Sequence, residues 1–312
     1  MAKEGKKNIK LRAFRIDNPF VTEKDSGVLK LLAQILNEGS TAQSRRMKLN
    51  EQDEDEDLLS DFAWQKDKFY VFGMMLRIIP GDNGGRISDD LFSHNKINIS
   101  ELVTPEKAVS LYKEHYYFAI NNTHLITNLS GSYSIDRLET YINWLLESVR
   151  KGKIFAFTPE MTLPDELKLS EIKDIEIGGS SKVIATVKEE ENFVTKIQDL
   201  ADDVVTRLFK EVPTLCEIQQ NQLISAKLIL KLNGKPKDMS KEDFQRIMGS
   251  IVKPMSSDSG ISVTSKSGKK YRGDSIKKVK DVTVETTSQN RIVEEQLKQK
   301  MELFLSELKE VK

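Results

Sequence analysis

The sequence contains one cysteine, Cys216, in 312 residues. A single cysteine excludes an intrachain disulfide and any metal site built only from cysteines, which agrees with a reducing compartment. No apolar run reaches the roughly 18 to 20 residues that a membrane-spanning helix requires. The first seven residues are basic, but no apolar signal-peptide segment follows them. We therefore expect a cytoplasmic protein without direct membrane insertion.

Excess charge of either sign is also missing, because 48 lysines and arginines balance 48 acidic residues. A protein of this kind contacts nucleic acid through a local basic patch rather than through its whole surface. The chain is longer than most single cores, so two lobes are expected. We predict an α+β fold with two lobes of mixed, mainly antiparallel sheet and packed helices. The predicted N-terminal lobe is 1–160, the linker region 161–181, and the C-terminal lobe 182–312, which carries a basic hairpin and a terminal helix.

Recognisable catalytic motifs are lacking as well. His94, His115 and His124 are too few and too scattered for a typical zinc site. No nucleophile elbow, His-Glu-x-x-His motif or dinucleotide fingerprint occurs. Asp281 with Glu285 is the nearest pattern to a carboxylate-and-lysine nuclease site, but the following lysine is missing. The sequence predicts a protein that is not an enzyme and has no catalytic residue, metal site or cofactor. A divergent metal-dependent nuclease or toxin, built from scattered acids, is the alternative.

The N-terminal half is dominated by apolar patterns of strand or helix period. Predicted strands are Ile9 to Ile16, Lys68 to Ile79, which is apolar on both faces and therefore central, the hairpin pair His115 to Ile120 and Leu125 to Leu129, and Lys153 to Thr158. Predicted helices are Gly27 to Glu38 and Ile135 to Arg150, the latter capped by Ser134. The first strand also carries Lys10, Arg12 and Arg15, which form either a second basic strip or an ordinary solvated face.

The acidic run Asp53 to Asp57 is the strongest compositional anomaly of this half. It lacks the spaced acids, central glycine and terminal glutamate of a calcium loop. A solvated loop is one interpretation. Contact with a basic surface, either the hairpin of this chain or that of a second copy, is another, and the acids would then compete with nucleic acid.

The C-terminal third reads as a strand, a helix and a long hairpin. Ser225 to Leu232 is rich in β-favouring residues, and Ser240 caps a helix with Asp243 three residues later. Ile261 to Lys266 is predicted to meet Tyr271 and the run Ile276 to Val284 across turn residues 267–268 and 273–274. Further predicted elements are a strand at Val183 to Val187, a helix at Phe193 to Phe209, and a terminal helix at Gln289 to Lys312 whose apolar stripe docks on the sheet or on a second chain.

The predicted hairpin holds the densest positive charge in the chain. Its cations are Lys266, Lys269, Lys270, Arg272, Lys277, Lys278 and Lys280, against the single acid Asp274. Positive residues on a β-ribbon can follow the phosphates of a duplex. Lysine outnumbers arginine and Tyr271 is the only aromatic residue, which favours backbone contact over base reading or stacking. The alternative is that these lysines protect a sheet edge from aggregation.

In this third the chain resembles the RexA family of lambdoid phage exclusion proteins. The resemblance lies in the lysine-rich strand Ala226-Lys-Leu-Ile-Leu-Lys-Leu-Asn-Gly-Lys-Pro236, a helix, Ile261-Ser-Val-Thr-Ser-Lys266, the hairpin and the terminal helix. A weaker similarity covers 117–126 and the helix after it. Lys266 falls on a basic position of the family strand, whereas Thr264 stands at the preceding basic position.

The resemblance implies a two-lobed α+β homodimer, with a C-terminal lobe similar to that of the recombination-associated protein RdgC. It also implies binding to double-stranded DNA without strong sequence preference, and a role in phage exclusion or abortive infection. The alternative is a protein-interaction subunit of a defence complex that binds a second defence protein and no DNA.

Overall fold

In a computed structural model of the chain, the residues described are 5–17, 27–37, 39–48, 55–65, 69–79, 85–97, 108–129, 135–162, 164, 167, 171–177, 228–231, 240, 243, 245–246, 261–287 and 291–309. They form a nine-stranded and a four-stranded sheet with packed helices, which confirms the predicted α+β class. The chain divides into two units, Met1–Phe157 with Val279–Lys312, and Thr158–Lys278. No helix among these residues is long and apolar enough to cross a bilayer.

The strands are numbered in chain order. They are β1 (Gly5–Asp17), β2 (Arg46–Lys48), β3 (Glu56–Gln65), β4 (Tyr70–Ile79), β5 (Gly85–Ser88), β6 (Ala108–Ile120), β7 (His124–Thr127), β8 (Ala156–Pro159), β9 (Ile172–Ile177), β10 (Leu228–Lys231), β11 (Ile261–Ser265), β12 (Lys270–Arg272) and β13 (Val279–Thr286). The α-helices are α1 (Val28–Ile35), α2 (Ile135–Leu145) and α3 (Glu294–Lys309).

The large sheet has the order β13-β1-β7-β6-β4-β3-β2, with β5 on β6 and β8 on β1. Strand β4 lies inside it, paired antiparallel with β3 and β6. Because successive side chains alternate between faces, Leu76 and Met75 enter different cores. One core contains α3, and the other contains α1 and α2. The prediction of a central strand apolar on both faces is confirmed.

Gly73 is required where β4 meets β6. A Cβ atom at this position would lie 2.5 Å from the Phe118 ring. Real Cβ atoms do not approach carbon that closely, so the aromatic ring can pack over the strand only because residue 73 has no side chain. Packing between the two strands therefore depends on the glycine.

The terminal helix α3 docks on the sheet of the first unit. Its buried face consists of Leu297, Met301, Phe304, Leu305 and Leu308. Two hydrogen bonds supplement this contact, from Tyr70 Oη to Glu302 and from Tyr117 Oη to Glu294, each 3.0 Å. The apolar stripe therefore covers the sheet, which is the first of the two predicted alternatives.

The division into units differs from the predicted lobes at the C-terminal end. Strand β13 pairs antiparallel with β1, from Gly5 opposite Thr286 to Arg12 opposite Val279. This pairing puts β13 and α3 in the first unit, although they follow the second unit in sequence. Local apolar periodicity carries no information about a partner strand so distant in the chain.

The predicted hairpin of β6 and β7 is confirmed, with Ile120 opposite Leu125. Asn121 Oδ1 accepts hydrogen bonds from the backbone N–H groups of residues 123 and 124, which fixes the turn. Asn122 Oδ1 accepts from Leu29 N at 3.0 Å, at the start of α1. His124 pairs with Arg15 of β1, and His115 pairs with Leu76 of β4. Ser134, predicted to cap α2, lies outside the described residues.

Arg45 is fully buried in the first unit and bonded to neutral oxygens. Its Nε donates to Leu59 O and its Nη1 to Ser40 Oγ, both at 3.0 Å, and its Nη2 donates to Asn95 O. Burial lowers the pKa of the guanidinium. One side chain thus joins three separate segments of the chain.

The second unit contains a sheet of order β10-β9-β11-β12. Strand β10 lies within the predicted strand Ser225 to Leu232. Ser240 Oγ accepts from Asp243 N at 2.9 Å, which confirms the predicted cap. Strand β9 lies in the region predicted as a linker and pairs with both β10 and β11. The segments Val183 to Val187 and Phe193 to Phe209 lie outside the described residues.

Candidate nucleic-acid interface

The centre of the candidate interface is the hairpin of β11 and β12. Val263 lies opposite Tyr271 and Thr264 opposite Lys270. Alternation along β12 puts Tyr271, 8% exposed, on one face and Lys270 and Arg272, both exposed, on the other. The short strand Lys-Tyr-Arg is therefore amphipathic, with its apolar face packed inside the unit and its cations in solvent.

The tip of this hairpin is held by Ser265. Its backbone N–H donates to Lys269 O at 2.9 Å, and its Oγ accepts from Lys269 N at 3.0 Å. Gly268 has φ +86°, a left-handed conformation that glycine adopts without strain. Lys266 N donates to Glu171 O at 2.6 Å. These bonds fix the backbone from which the tip lysines project.

Four cations of the predicted set share this hairpin and are exposed: Lys266, Lys269, Lys270 and Arg272. The aromatic ring beside them is not available for stacking, because Tyr271 is buried and the Lys269 Nζ lies 5.1 Å from its ring centroid. The surface that this hairpin offers to a ligand is therefore cationic and not aromatic.

Lys277 and Lys278 belong to a different backbone arrangement from the one predicted. The segment that contains them pairs with residues 160–162 and not with β11. Thr162 N donates to Ile276 O at 3.0 Å, and Lys278 N donates to Glu160 O at 2.7 Å. Both lysines are half-buried. The predicted long hairpin is thus shorter, because turn 273–275 directs the chain away from β11 after β12.

Lys280 lies in the first unit, on β13. Its Nζ forms an ion pair with Glu307 of α3 and lies 5.7 Å from the centroid of the Phe304 ring. This cation therefore has a role in attaching α3 to the sheet. The seven predicted site residues divide into four on the hairpin, two beside residues 160–162 and one in the other unit.

The polar face of the four-stranded sheet was missed by the sequence analysis. Its register sets Asp174 of β9 opposite Thr264, which in turn lies opposite Lys270. Thr264 is 8% exposed, and its Oγ1 has no hydrogen-bond partner among the described residues. The alternating sequence Ile172-Lys-Asp-Ile-Glu-Ile177 was the available signal for β9, but its acidic residues favoured a linker.

Two lysines of β1 lie opposite acids on the neighbouring strand β13. Lys6 lies opposite Glu285, and Lys10 lies opposite Asp281. Arg12 Nη1 donates to Leu129 O at 2.6 Å. Cross-strand pairs of opposite charge stabilise a sheet and leave little net charge on its surface. For Lys10 this arrangement favours the ordinary solvated face over a second basic strip, and both acids considered for a nuclease site lie opposite lysines.

The described part of the acidic run is paired with arginines, which corrects the interpretation of a solvated loop for residues 55–57. Asp55 accepts from Arg77, Glu56 from Arg46 at 2.7 Å, and Asp57 from Arg137 at 2.6 and 2.9 Å. Glu56 and Asp57 begin β3. Asp53 and Glu54 lie outside the described residues.

Asp57 is 2% exposed, the most buried of these three acids. Burial raises the pKa of its carboxyl group, against the opposing effect of Arg137. Removing either partner of a buried ion pair strongly destabilises the protein, because the remaining charge is left buried without compensation. The pair therefore has a structural role in joining β3 to α2, and these acids do not compete for the basic hairpin of their own chain.

Within the described residues, no group of three or more histidine, cysteine or acidic side chains is placed to hold a metal ion. His115 packs edge-on against Tyr117 at 5.6 Å between ring centroids. His124 Nδ1 lies 2.9 Å from Thr123 Oγ1. The two histidine rings therefore contact different side chains, Tyr117 for His115 and Thr123 for His124.

Comparison with protein-family models, with curated proteins and with solved structures found no match.

Proposed function

We propose that this protein binds the backbone of duplex DNA with little sequence preference through the β11–β12 hairpin. The observation that carries the proposal is the set of four exposed cations on one short, hydrogen-bonded hairpin. Cations that neutralise phosphates release bound counterions, which favours association with any duplex sequence. Base stacking requires an exposed aromatic ring, and Tyr271 is buried, so single-stranded nucleic acid is the poorer ligand for this hairpin.

The spacing along β12 supports phosphate contact. Lys270 and Arg272 are two residues apart on one face of the strand. A strand rises about 3.4 Å per residue, so their Cα atoms are roughly 6.8 Å apart. One DNA strand also rises about 3.4 Å per nucleotide along the helix axis. The backbone also winds around that axis, so successive phosphates lie farther apart than this rise, and two cations with this separation can contact neighbouring phosphates of one strand.

The biological setting follows from the resemblance to the RexA family. On that basis the protein is a cytoplasmic, non-enzymatic DNA-binding protein of bacterial or prophage antiviral defence, active in phage exclusion or abortive infection. It acts as a homodimer. The hairpin geometry supports the DNA-binding part of this proposal, and the defence role and the dimer rest on the sequence pattern alone.

The test is a charge-reversal variant of the hairpin, Lys269→Glu with Lys270→Glu. We expect at least tenfold weaker duplex binding in a fluorescence anisotropy titration, because two phosphate contacts become repulsive. The melting temperature should change by less than about 2 °C, since both residues are exposed.

The matched control is Lys48→Glu with Lys300→Glu, which makes the same charge change at two exposed lysines of the first unit. We expect this control to retain most of the wild-type affinity. Equal affinity of the hairpin variant and the control would reject the hairpin as the DNA-binding site.

A second candidate function is binding of a partner protein without DNA contact. It is favoured by the position of β12 at the end of the sheet order, where exposed lysines also protect an edge against aggregation. Under this function the wild-type protein would bind no duplex at low salt. DNA cleavage in magnesium or manganese that EDTA abolishes would instead indicate a nuclease.

A further inference from the structure

The buried hydroxyl of Thr264 is a polar group of the candidate interface that the proposed contacts leave unexplained. Its Oγ1 is buried and has no hydrogen-bond partner among the described residues. A buried hydroxyl without a partner is unfavourable, and proteins retain such groups rarely. A threonine at this position is therefore better explained by a ligand than by folding.

The surroundings of this hydroxyl indicate the charge of the ligand. Lys270 lies directly opposite Thr264 on β12, and residues opposite each other have Cβ atoms roughly 5 Å apart. Arg272 is one diagonal step away on the same face, and Lys266 follows two residues later at the tip. The backbone therefore places three exposed cations within a few residues of one neutral hydroxyl donor. Hydroxyl and cationic donors together are a common arrangement for phosphate oxygens.

We propose that the Thr264 hydroxyl donates a hydrogen bond to an oxygen of the same DNA backbone phosphate that Lys270 contacts, while Arg272 contacts the neighbouring phosphate. This inference rests on the proposed DNA-binding function and assigns one phosphate to a defined position on the hairpin. Because the hydroxyl is buried, a phosphate can reach it only if neighbouring side chains, such as the flexible Lys270 directly opposite, move toward that phosphate.

The direction of the affinity change on neutralising Asp174 distinguishes this proposal from binding through a metal ion. This half-buried carboxylate lies opposite Thr264 on the side away from β12. The negative charge of Asp174 repels a phosphate bound between β11 and β12, so neutralising Asp174 should strengthen DNA binding. If a divalent cation bridged Asp174 and the phosphate, neutralising Asp174 would instead weaken DNA binding, because the carboxylate would then be a ligand of that cation.

The experiment compares Thr264→Val, Thr264→Ser and Asp174→Asn with the wild-type protein in duplex-DNA anisotropy titrations at several salt concentrations. Valine removes the hydroxyl at nearly constant shape, whereas serine keeps it. We expect Thr264→Val to bind about tenfold more weakly, which is the scale of a hydrogen bond to a charged group. Thr264→Ser should bind within about twofold of wild type, and Asp174→Asn about two- to threefold more tightly.

Two further readouts separate this role from a structural one. Thr264→Val should leave the salt slope unchanged, because a neutral donor releases no counterion. Its melting temperature should be equal to or higher than that of wild type, because an unpartnered buried hydroxyl is removed.

Wild-type binding that Thr264→Val leaves unaltered would overturn the inference and leave the proposed function standing. Weaker binding by Asp174→Asn, with sensitivity to EDTA, would also overturn it and replace the hydroxyl contact with a cation bridge. Absence of wild-type binding would reject the proposed function, and the inference with it.

Discussion

Neutralising the exposed hairpin cations one at a time should reduce the salt dependence of duplex binding in equal steps. Each phosphate contact contributes about −0.9 to the slope of log K against log salt concentration on B-form DNA. Four exposed cations therefore predict a slope of about −3.6 for one hairpin. Lys270→Gln or Arg272→Gln should reduce it to about −2.7, because three contacts remain.

Lys280→Gln provides the comparison, because Lys280 was predicted as part of the same site. Its ammonium group is paired with Glu307 in the first unit, so its removal should leave the salt slope unchanged. The free energy of unfolding should fall by less than about 1 kcal/mol, as is usual for a partly exposed ion pair.

The assay is anisotropy of a labelled duplex between about 50 and 200 mM salt, where contacts of this type change affinity most clearly. Urea denaturation of each variant measures the free energy of unfolding in parallel. A slope reduced as much by Lys280→Gln as by Lys270→Gln would refute the assignment of DNA contact to the hairpin alone. An unchanged slope in both hairpin variants would refute it as well.

Three predictions concern the first unit. Arg45→Lys should cost about 2 to 3 kcal/mol in urea denaturation, since an ammonium group cannot reach all three acceptors of the guanidinium. Arg46→Lys should cost only about 1 kcal/mol, because an ammonium group can retain the single ion pair with Glu56. Gly73→Ala should cost about 1 to 3 kcal/mol in the same assay, because its methyl group would overlap the Phe118 ring. Partial desolvation of the ring by neighbouring side chains, with the nearby cations Lys7 and Arg291, lowers the pKa of the otherwise exposed His115. The unfolded chain then takes up a proton before the folded one does, so the free energy of unfolding should fall as pH decreases below about 6.5, and His115→Gln should weaken that dependence. A loss below 1 kcal/mol for Arg45→Lys, a neutral Gly73→Ala or an unaltered pH profile would contradict the corresponding argument.

Sequence patterns were sufficient to predict an element where the spacing of its own apolar residues determines which of its faces are buried. The run 68–79 is apolar on both faces and forms the central strand β4. The stripe from Leu297 to Leu308 has helical spacing and forms the buried face of α3. In both cases the amount of apolar surface requires burial whatever the partner is, so the prediction did not depend on knowing that partner.

Sequence patterns were insufficient where pairing between distant segments decides the outcome. Strand β13 continues the basic segment after β12, yet it pairs with β1 at the other end of the chain. Lys280 therefore belongs to a different unit from the hairpin cations that precede it in the sequence. Similarly, Asp57 looked like part of a solvated acidic run because its partner Arg137 is 80 residues away. Charge density along the chain could not show which cations share a surface.

Wild-type binding to two unrelated duplexes of equal length, measured by anisotropy across a salt series, tests the central claim most directly. Backbone contact through the hairpin predicts similar affinities for both duplexes and a log–log slope near −3.6 per bound hairpin. No binding to either duplex at low salt, or tight binding to one duplex with little salt dependence, would contradict the proposed function.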